Sequence, residues 1–177
     1  DKSDKINRKE IFMMPTWRGW LDEVDEEKFI ETPYFKYYME ILNSDKLKAI
    51  LKQNNIQFNF FLHPKFKQYI KHFSSNSSDI RLIEFGEEKV NELLMNSSLL
   101  ITDYSSVAWE MYYMAKPVIF YQFDYEEYNR LTGSYINMED GLFGERIFNS
   151  EELIIGIEEF ILNGFKEKEE YALERKN

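Results

Sequence analysis

The chain has no cysteine in 177 residues. That excludes disulfides, thiolate metal sites and cysteine nucleophiles together, and it fits a reducing compartment. No apolar run approaches the length of a membrane span, and no signal peptide opens the chain. Glycine is sparse, at seven residues, and neither the Gly-rich dinucleotide fingerprint nor a P-loop is present. Positive charge is in deficit: 22 Lys and Arg face 32 Asp and Glu, a net charge of −10. This argues against general nucleic-acid binding, which shows as a basic surface, yet leaves room for one local phosphate pocket. There is no D-x-D, no His/carboxylate cluster with metal-ligand spacing, no readable nucleophilic triad and no internal repeat.

What is present is enough for a core. The chain is 44% apolar and 17% aromatic, which supports one well-packed domain over residues 1–177. Its core is expected over about residues 11–162, followed by a charged tail, Lys166–Asn177, read as a surface helix. Asp1–Glu10 is charged and abrupt, as if the chain were cut from something longer.

The central stretch is Ser98–Asp124. Leu99-Leu100-Ile101 reads as a buried strand, Asp103-Tyr104-Ser105-Ser106 as a turn, and Val107, Ala108, Met111, Tyr112 and Ala115 as one face of a helix. Lys116-Pro117 stops that helix before a second buried strand, Val118–Tyr121. A strand–helix–strand unit favours a parallel sheet. Upstream, Ile11–Met14 is a strand, Phe35–Lys52 one helix ended by Asn54-Asn55, Phe58–Leu62 a strand, Lys65–Phe73 a short helix, Ile80–Phe85 a strand and Glu87–Asn96 a helix. Downstream, Tyr125–Gly144 reads as loop, and Ser150-Glu151-Glu152 caps a last helix ending at Leu162. Strands and helices alternate throughout. The expected fold is therefore α/β, a Rossmann-like parallel sheet flanked by helices.

The unusual residues gather at strand ends, where open α/β sheets bind ligands. Thr16 and Arg18 follow the first strand and would point from that edge. Arg18 either grips phosphate bidentately or stacks on Trp17 or Trp20. His63, before Pro64, is placed to donate to a phosphate or act as an acid. His72 is mid-helix and has no assigned role. Ser105 and Ser106 either cap the helix or bind phosphate there, and both uses draw on the same backbone N–H groups. Asp103 fixes the turn or accepts a ligand hydroxyl. Glu110 either reaches a sugar hydroxyl or is simply exposed.

Taken together, Met14-Pro15-Thr16-Trp17-Arg18, His63-Pro64, Thr102-Asp103-Tyr104-Ser105-Ser106, Lys116–Tyr121, and Asp124 with Tyr128 resemble, in order, the CDP-glycerol glycerophosphotransferase family of teichoic-acid polymerases and primases. The resemblance spans roughly Ile11 to Leu162. It implies the C-terminal, donor-binding half of a GT-B transferase, part of a longer two-domain enzyme, with no bound metal or cofactor. On this resemblance Thr16, Arg18, Ser105 and Ser106 match donor-phosphate positions, and His63 matches a catalytically important histidine. Glu84, Phe85 and Gly86 end a strand where such folds contact the base, and Glu110 sits like a ribose-binding glutamate. Asp103 and Asp124 are supporting residues. The implied partners are CDP-glycerol or a related CDP-polyol, and a teichoic-acid-type acceptor reached through the N-terminal half. The implied location is cytoplasmic, with the full enzyme peripheral at the inner face of the plasma membrane. One departure is Gly141-Leu142-Phe143-Gly144, where relatives often have a proline-glycine-proline turn. Alternative readings are a non-catalytic nucleotide-binding module, a GT-B domain using another nucleotide-linked donor, or a flavodoxin-like scaffold.

Overall fold

A computed structural model describes residues 8–133 and 142–177. Six strands form one sheet: β1 Lys9–Met13, β2 Ile56–Leu62, β3 Ile80–Glu84, β4 Leu99–Thr102, β5 Val118–Tyr121 and β6 Glu145–Ile147. Their order is β3-β2-β1-β4-β5-β6, and every pairing is parallel. The helices are α1 Glu26–Phe29, α2 Pro33–Leu42, α3 Asp45–Gln53, α4 Val90–Asn96, α5 Ala108–Tyr113, α6 Tyr125–Leu131, α7 Ser150–Leu162 and α8 Glu169–Lys176. The expected Rossmann-like α/β sheet is what forms. Its strand order reverses between β1 and β4, and the crevice outside the carboxyl ends of those strands is where such sheets take ligands.

The central strands are apolar throughout because both faces are covered. Successive side chains alternate between faces. Ile11, Met13, Phe58, Phe60, Ile101, Ile119 and Tyr121 join the core under α2, α3 and α7. Phe12, Phe61, Leu100, Val118 and Phe120 join a second core under α4 and α5. Burial on both faces explains why continuous apolar runs marked these strands in the sequence.

Several local expectations differ. Phe35–Lys52 is not one helix: α2 ends at Leu42 and α3 starts at Asp45, because the Ser44 hydroxyl accepts the Leu47 N–H and caps a new start. Such local side-chain bonds compete with helix continuation. The stretch 65–73 holds 3₁₀ turns at Pro64–Phe66 and Ile70–His72 instead of an α-helix. The expected loop from Tyr125 contains α6, and β6 was not foreseen, since only three residues, two of them charged, form it. The cap of α7 is Asn149, whose side chain accepts the Glu152 N–H at 2.9 Å, not Ser150. Gly141 lies outside the described residues. α8 is the expected charged tail helix; Arg175 pairs with Glu167 and donates to the Tyr112 carbonyl at 3.1 Å.

Gly144 leads into β6 against β5. A Cβ there would overlap the Val118 carbonyl oxygen and lie 2.9 Å from the Phe120 ring. Neither the backbone nor a core ring yields cheaply. Gly144→Ala is therefore expected to cost about 1–3 kcal/mol as an overpacked site, read as a lower midpoint in urea. An unchanged midpoint would show that the β5–β6 contact is looser than described.

Candidate functional site at the carboxyl edge of the sheet

Three turns meet at this edge: those after β1, β4 and β5. The first two are joined by backbone continuation, since Met14 N–H donates to the Ile101 carbonyl at 2.9 Å and the Thr102 hydroxyl to the Met14 carbonyl at 2.7 Å. Asp103, fully buried, collects the donors of both turns. Its Oδ1 accepts from Thr16 N–H at 3.0 Å, the Thr16 hydroxyl at 2.5 Å and Tyr104 N–H at 2.6 Å. Its Oδ2 accepts from Arg18 Nη1 at 2.8 Å and the Tyr38 hydroxyl at 3.4 Å. Asp103 thus fixes the turn, one of its two expected uses.

Arg18 corrects the expectation made of it. It does not point out from the edge; its side chain is 0% exposed. Nε and Nη2 grip the Asp124 carboxylate at 2.7 and 3.1 Å, and Nη1 also donates to the Thr16 carbonyl at 2.7 Å. Tyr34, Tyr104 and Tyr128 surround the guanidinium, with its carbon 4.9, 5.0 and 5.1 Å from their ring centres. Burial opposes the charge on Arg18, but Asp103, with Tyr38 and Asp124, outweighs it and holds the pKa well above the ordinary value. A guanidinium so placed has no face left for a phosphate. The Thr16 hydroxyl proton is likewise spent on Asp103. Both residues support the turns from below.

Asp124 closes the third turn. Besides Arg18 it accepts the Tyr104 hydroxyl at 2.9 Å, and Tyr104 stacks on Tyr128 with ring centres 3.7 Å apart. The Tyr104 phenol is pushed upward by burial and by Asp124, so it stays a donor. Gln122 Nε2 donates to the Asp103 carbonyl at 3.0 Å, tying β5 to β4. Tyr34, Tyr38, Tyr104, Tyr128 and Gln122 were missed as site-building residues in the sequence. They come from four separate segments, and no spacing announces that three of the rings meet around Arg18 while Tyr38 and Gln122 bond to Asp103.

The residues that face outward are fewer. Ser105 Oγ accepts the Val107 N–H at 3.3 Å and so caps the turn before α5. Ser106 is exposed, and no hydrogen bond engages its hydroxyl among the described residues. His63, half-buried at the end of β2, accepts the Lys65 N–H on Nδ1 at 3.2 Å. An accepting Nδ1 leaves the neutral ring's proton on Nε2. Partial burial first, and Lys65 second, lower its pKa from the usual 6.5. Glu84 ends β3, an outer strand, and Phe85 and Gly86 follow it. Phe85 is 67% exposed, and Gly86 has φ +96°, a backbone shape that suits glycine. Glu110 lies exposed in the first turn of α5. These nucleoside candidates share the sheet edge but sit on different elements. His72 pairs with Glu26 at 3.2 Å. Among the described residues, no cluster of three His, Cys, Asp or Glu could hold a metal, and no helix is long and apolar enough to cross a membrane.

Residues 4–177 match the family described as CDP-Glycerol:Poly(glycerophosphate) glycerophosphotransferase. The chain belongs to this family. It is 29% identical over 174 residues to the minor teichoic acid biosynthesis protein GgaB of Bacillus subtilis (strain 168), covering 92% of this chain and 19% of that protein. It is 31% identical over 153 residues to a teichoic acid poly(ribitol-phosphate) polymerase of Bacillus spizizenii, covering 86% of this chain and 23% of the relative. The chain thus spans about a fifth of the length of these curated relatives. In fold it is similar to the wall teichoic acid polymerase TagF, with a TM-score of 0.60 at 22% identity over 90% of this chain and 37% of that one. It is similar also to UDP-GlcNAc 2-epimerase from Methanocaldococcus jannaschii, with a TM-score of 0.54 at 18% identity over 94% of this chain and 43% of that one. The fold is a parallel α/β sheet of the GT-B type.

Two expectations follow for members of this family built as this chain is. Arg18→Ala should cost about 3–5 kcal/mol in chemical denaturation, because it leaves the fully buried Asp103 and the partly buried Asp124 with no cation. Arg18→Lys should recover little of this, since one ammonium cannot serve both carboxylates in fork geometry. A variant as stable as the parent would show the cluster to be dispensable. The His63 imidazole should titrate below 6.5 by NMR, and Lys65→Ala should raise its midpoint partway. A midpoint at or above 6.5 would contradict the burial described.

Proposed function

We propose that this chain is the donor-binding half of a transferase. It moves a polyol phosphate, glycerol phosphate or ribitol phosphate, from a CDP-linked donor to a hydroxyl of a teichoic-acid-type acceptor. The observation that carries the reading is the β4–α5 turn. It lies at the reversal of strand order, is held rigid from beneath by Asp103 and Arg18, and presents Ser105 and Ser106 outward in a chain of this family.

In the reaction the acceptor oxygen attacks the phosphorus that bears the polyol. The bond from that phosphorus to the CMP oxygen breaks, and CMP leaves with the electron pair. The acceptor's proton passes to a base that the rest of the longer protein supplies. Charge grows on the leaving phosphate, and fixed donors at the sheet edge stabilise it without having to reorganise. Ser106 and Ser105 supply hydroxyls there. His63 supplies Nε2–H as a neutral donor, and an arriving pyrophosphate, being anionic, raises the ring's proton affinity. Glu110 and the Glu84–Gly86 turn are assigned to the nucleoside. Arg18, Asp103, Asp124 and Thr16 act beneath the donor, holding the turns.

Replacing Ser105 and Ser106 together by alanine should weaken CDP-glycerol binding by about 1–3 kcal/mol in calorimetry. Unchanged affinity in a folded double variant would reduce both serines to turn caps. The 177 residues alone should bind CDP-glycerol more tightly than cytidine, with the difference shrinking in high salt, and should transfer nothing. Polymer formation by this chain alone would overturn the half-enzyme reading.

A further inference from the structure

A second concavity opens beside the donor edge. It is a cleft of ≈ 760 Å³ beyond the carboxyl end of β5, between α2, α6 and the segment before α7. Its size falls in the range of small-molecule sites, which are typically aromatic-lined with a few polar groups. It contains Asp124 but none of Ser105, Ser106 or His63, so it is not the donor phosphate site.

The cleft's aromatic walls are fixed in place. Tyr37 and Phe123 stack with ring centres 4.4 Å apart and 7° between planes. Among the other lining rings, Tyr125 has Arg146 4.5 Å from its ring centre and Phe148 has the same guanidinium 5.2 Å from its own. Arg146 is anchored in turn by Nε donating to Gln122 Oε1 at 2.8 Å. Rings held by their neighbours lose little freedom when a ligand settles on them. Glu126 and Glu127 line the cleft with Arg130, Asp124 is paired with Arg18, and Arg146 lies against Tyr125 and Phe148. With carboxylates and guanidiniums so matched, the cleft carries no excess of positive charge to draw in a phosphate. It also suits a ligand with many hydroxyl donors better than a cytosine, which brings one amino group among several acceptors.

We propose that this cleft binds an uncharged, hydroxyl-rich unit, a polyol or a sugar ring, whose C–H faces lie on the aromatic walls and whose hydroxyls donate to Glu126 and Glu127. The proposal rests on the transferase reading only for what carries that unit, namely the acceptor chain. Its phosphates would then lie outside the cleft, which places a neutral segment of the acceptor beside the donor edge.

The test is a nitrogen-15 NMR titration of the 177-residue chain with ribitol and with methyl β-glucoside, set against inorganic phosphate and cytidine. Saturable millimolar shifts at the Phe123, Tyr125 and Phe148 amides with one or both hydroxylated probes are expected. Phe148→Ala, at a position already 44% exposed, and the pair Glu126→Gln with Glu127→Gln should each weaken binding about 10-fold. The proposal is overturned by an absence of saturable shifts, by shifts at these amides with phosphate or cytidine, or by binding that neither variant changes. CDP-glycerol titrated in parallel reports on the turn at Ser105 and Ser106, so failure of the donor reading appears separately from failure at the cleft.

Discussion

One buried arginine ties the ligand edge together. Arg18 comes from the turn after β1, and its two carboxylate partners come from the turns after β4 and β5. A charge taken out of water is costly unless it is paired and its remaining donors are satisfied. Here the pairing can be met only if three separate strand ends stand at fixed positions. The ion cluster therefore constrains geometry more than it adds net stability. Two carboxylates against one guanidinium would leave excess negative charge. The N–H groups of Thr16 and Tyr104, and the hydroxyls of Thr16, Tyr38 and Tyr104, offset that excess.

That arrangement gives the outward residues their setting. Ser105 and Ser106 follow Asp103 and Tyr104 directly in the chain, so the turn that presents them inherits the rigidity of the cluster. The next layer outward is sparse: two hydroxyls, one neutral imidazole, and acidic or aromatic groups at the ends of β3 and in α5. A donor bound there would be half enclosed. This fits a chain that spans about a fifth of its curated relatives and 37% of a TagF chain. The cleft beyond β5 is walled by the same Asp124 turn and does not include Ser105, so the cluster borders both places where a ligand could lie.

The strands were legible because parallel strands covered on both faces write themselves as short apolar runs. Leu99-Leu100-Ile101 and Val118–Tyr121 are examples, and their ends marked where chemistry would gather. Less legible were elements decided by local hydrogen bonds. The Ser44 hydroxyl divides what the apolar pattern of Phe35–Lys52 offers as one helix. β6 carries Glu145 and Arg146 in a strand of three residues, and it forms because β5 offers it an edge, not because its own sequence favours extension.

The sequence by itself determined the class of fold, the alternation of strands and helices, and the segments whose turns meet at one edge. Patterning and motif order are local properties and survive without coordinates. Only the tertiary structure decided which of those residues face a ligand and which lie beneath it. Arg18 and Ser106 both read as phosphate-binding residues in the chain. One is sealed among Tyr34, Tyr104 and Tyr128, while the other is left in solvent. That difference arises because the tyrosines and the aspartates reach Arg18 from distant segments, Asp124 from 106 residues away, a distance at which side-chain packing, not sequence spacing, sets which group is buried.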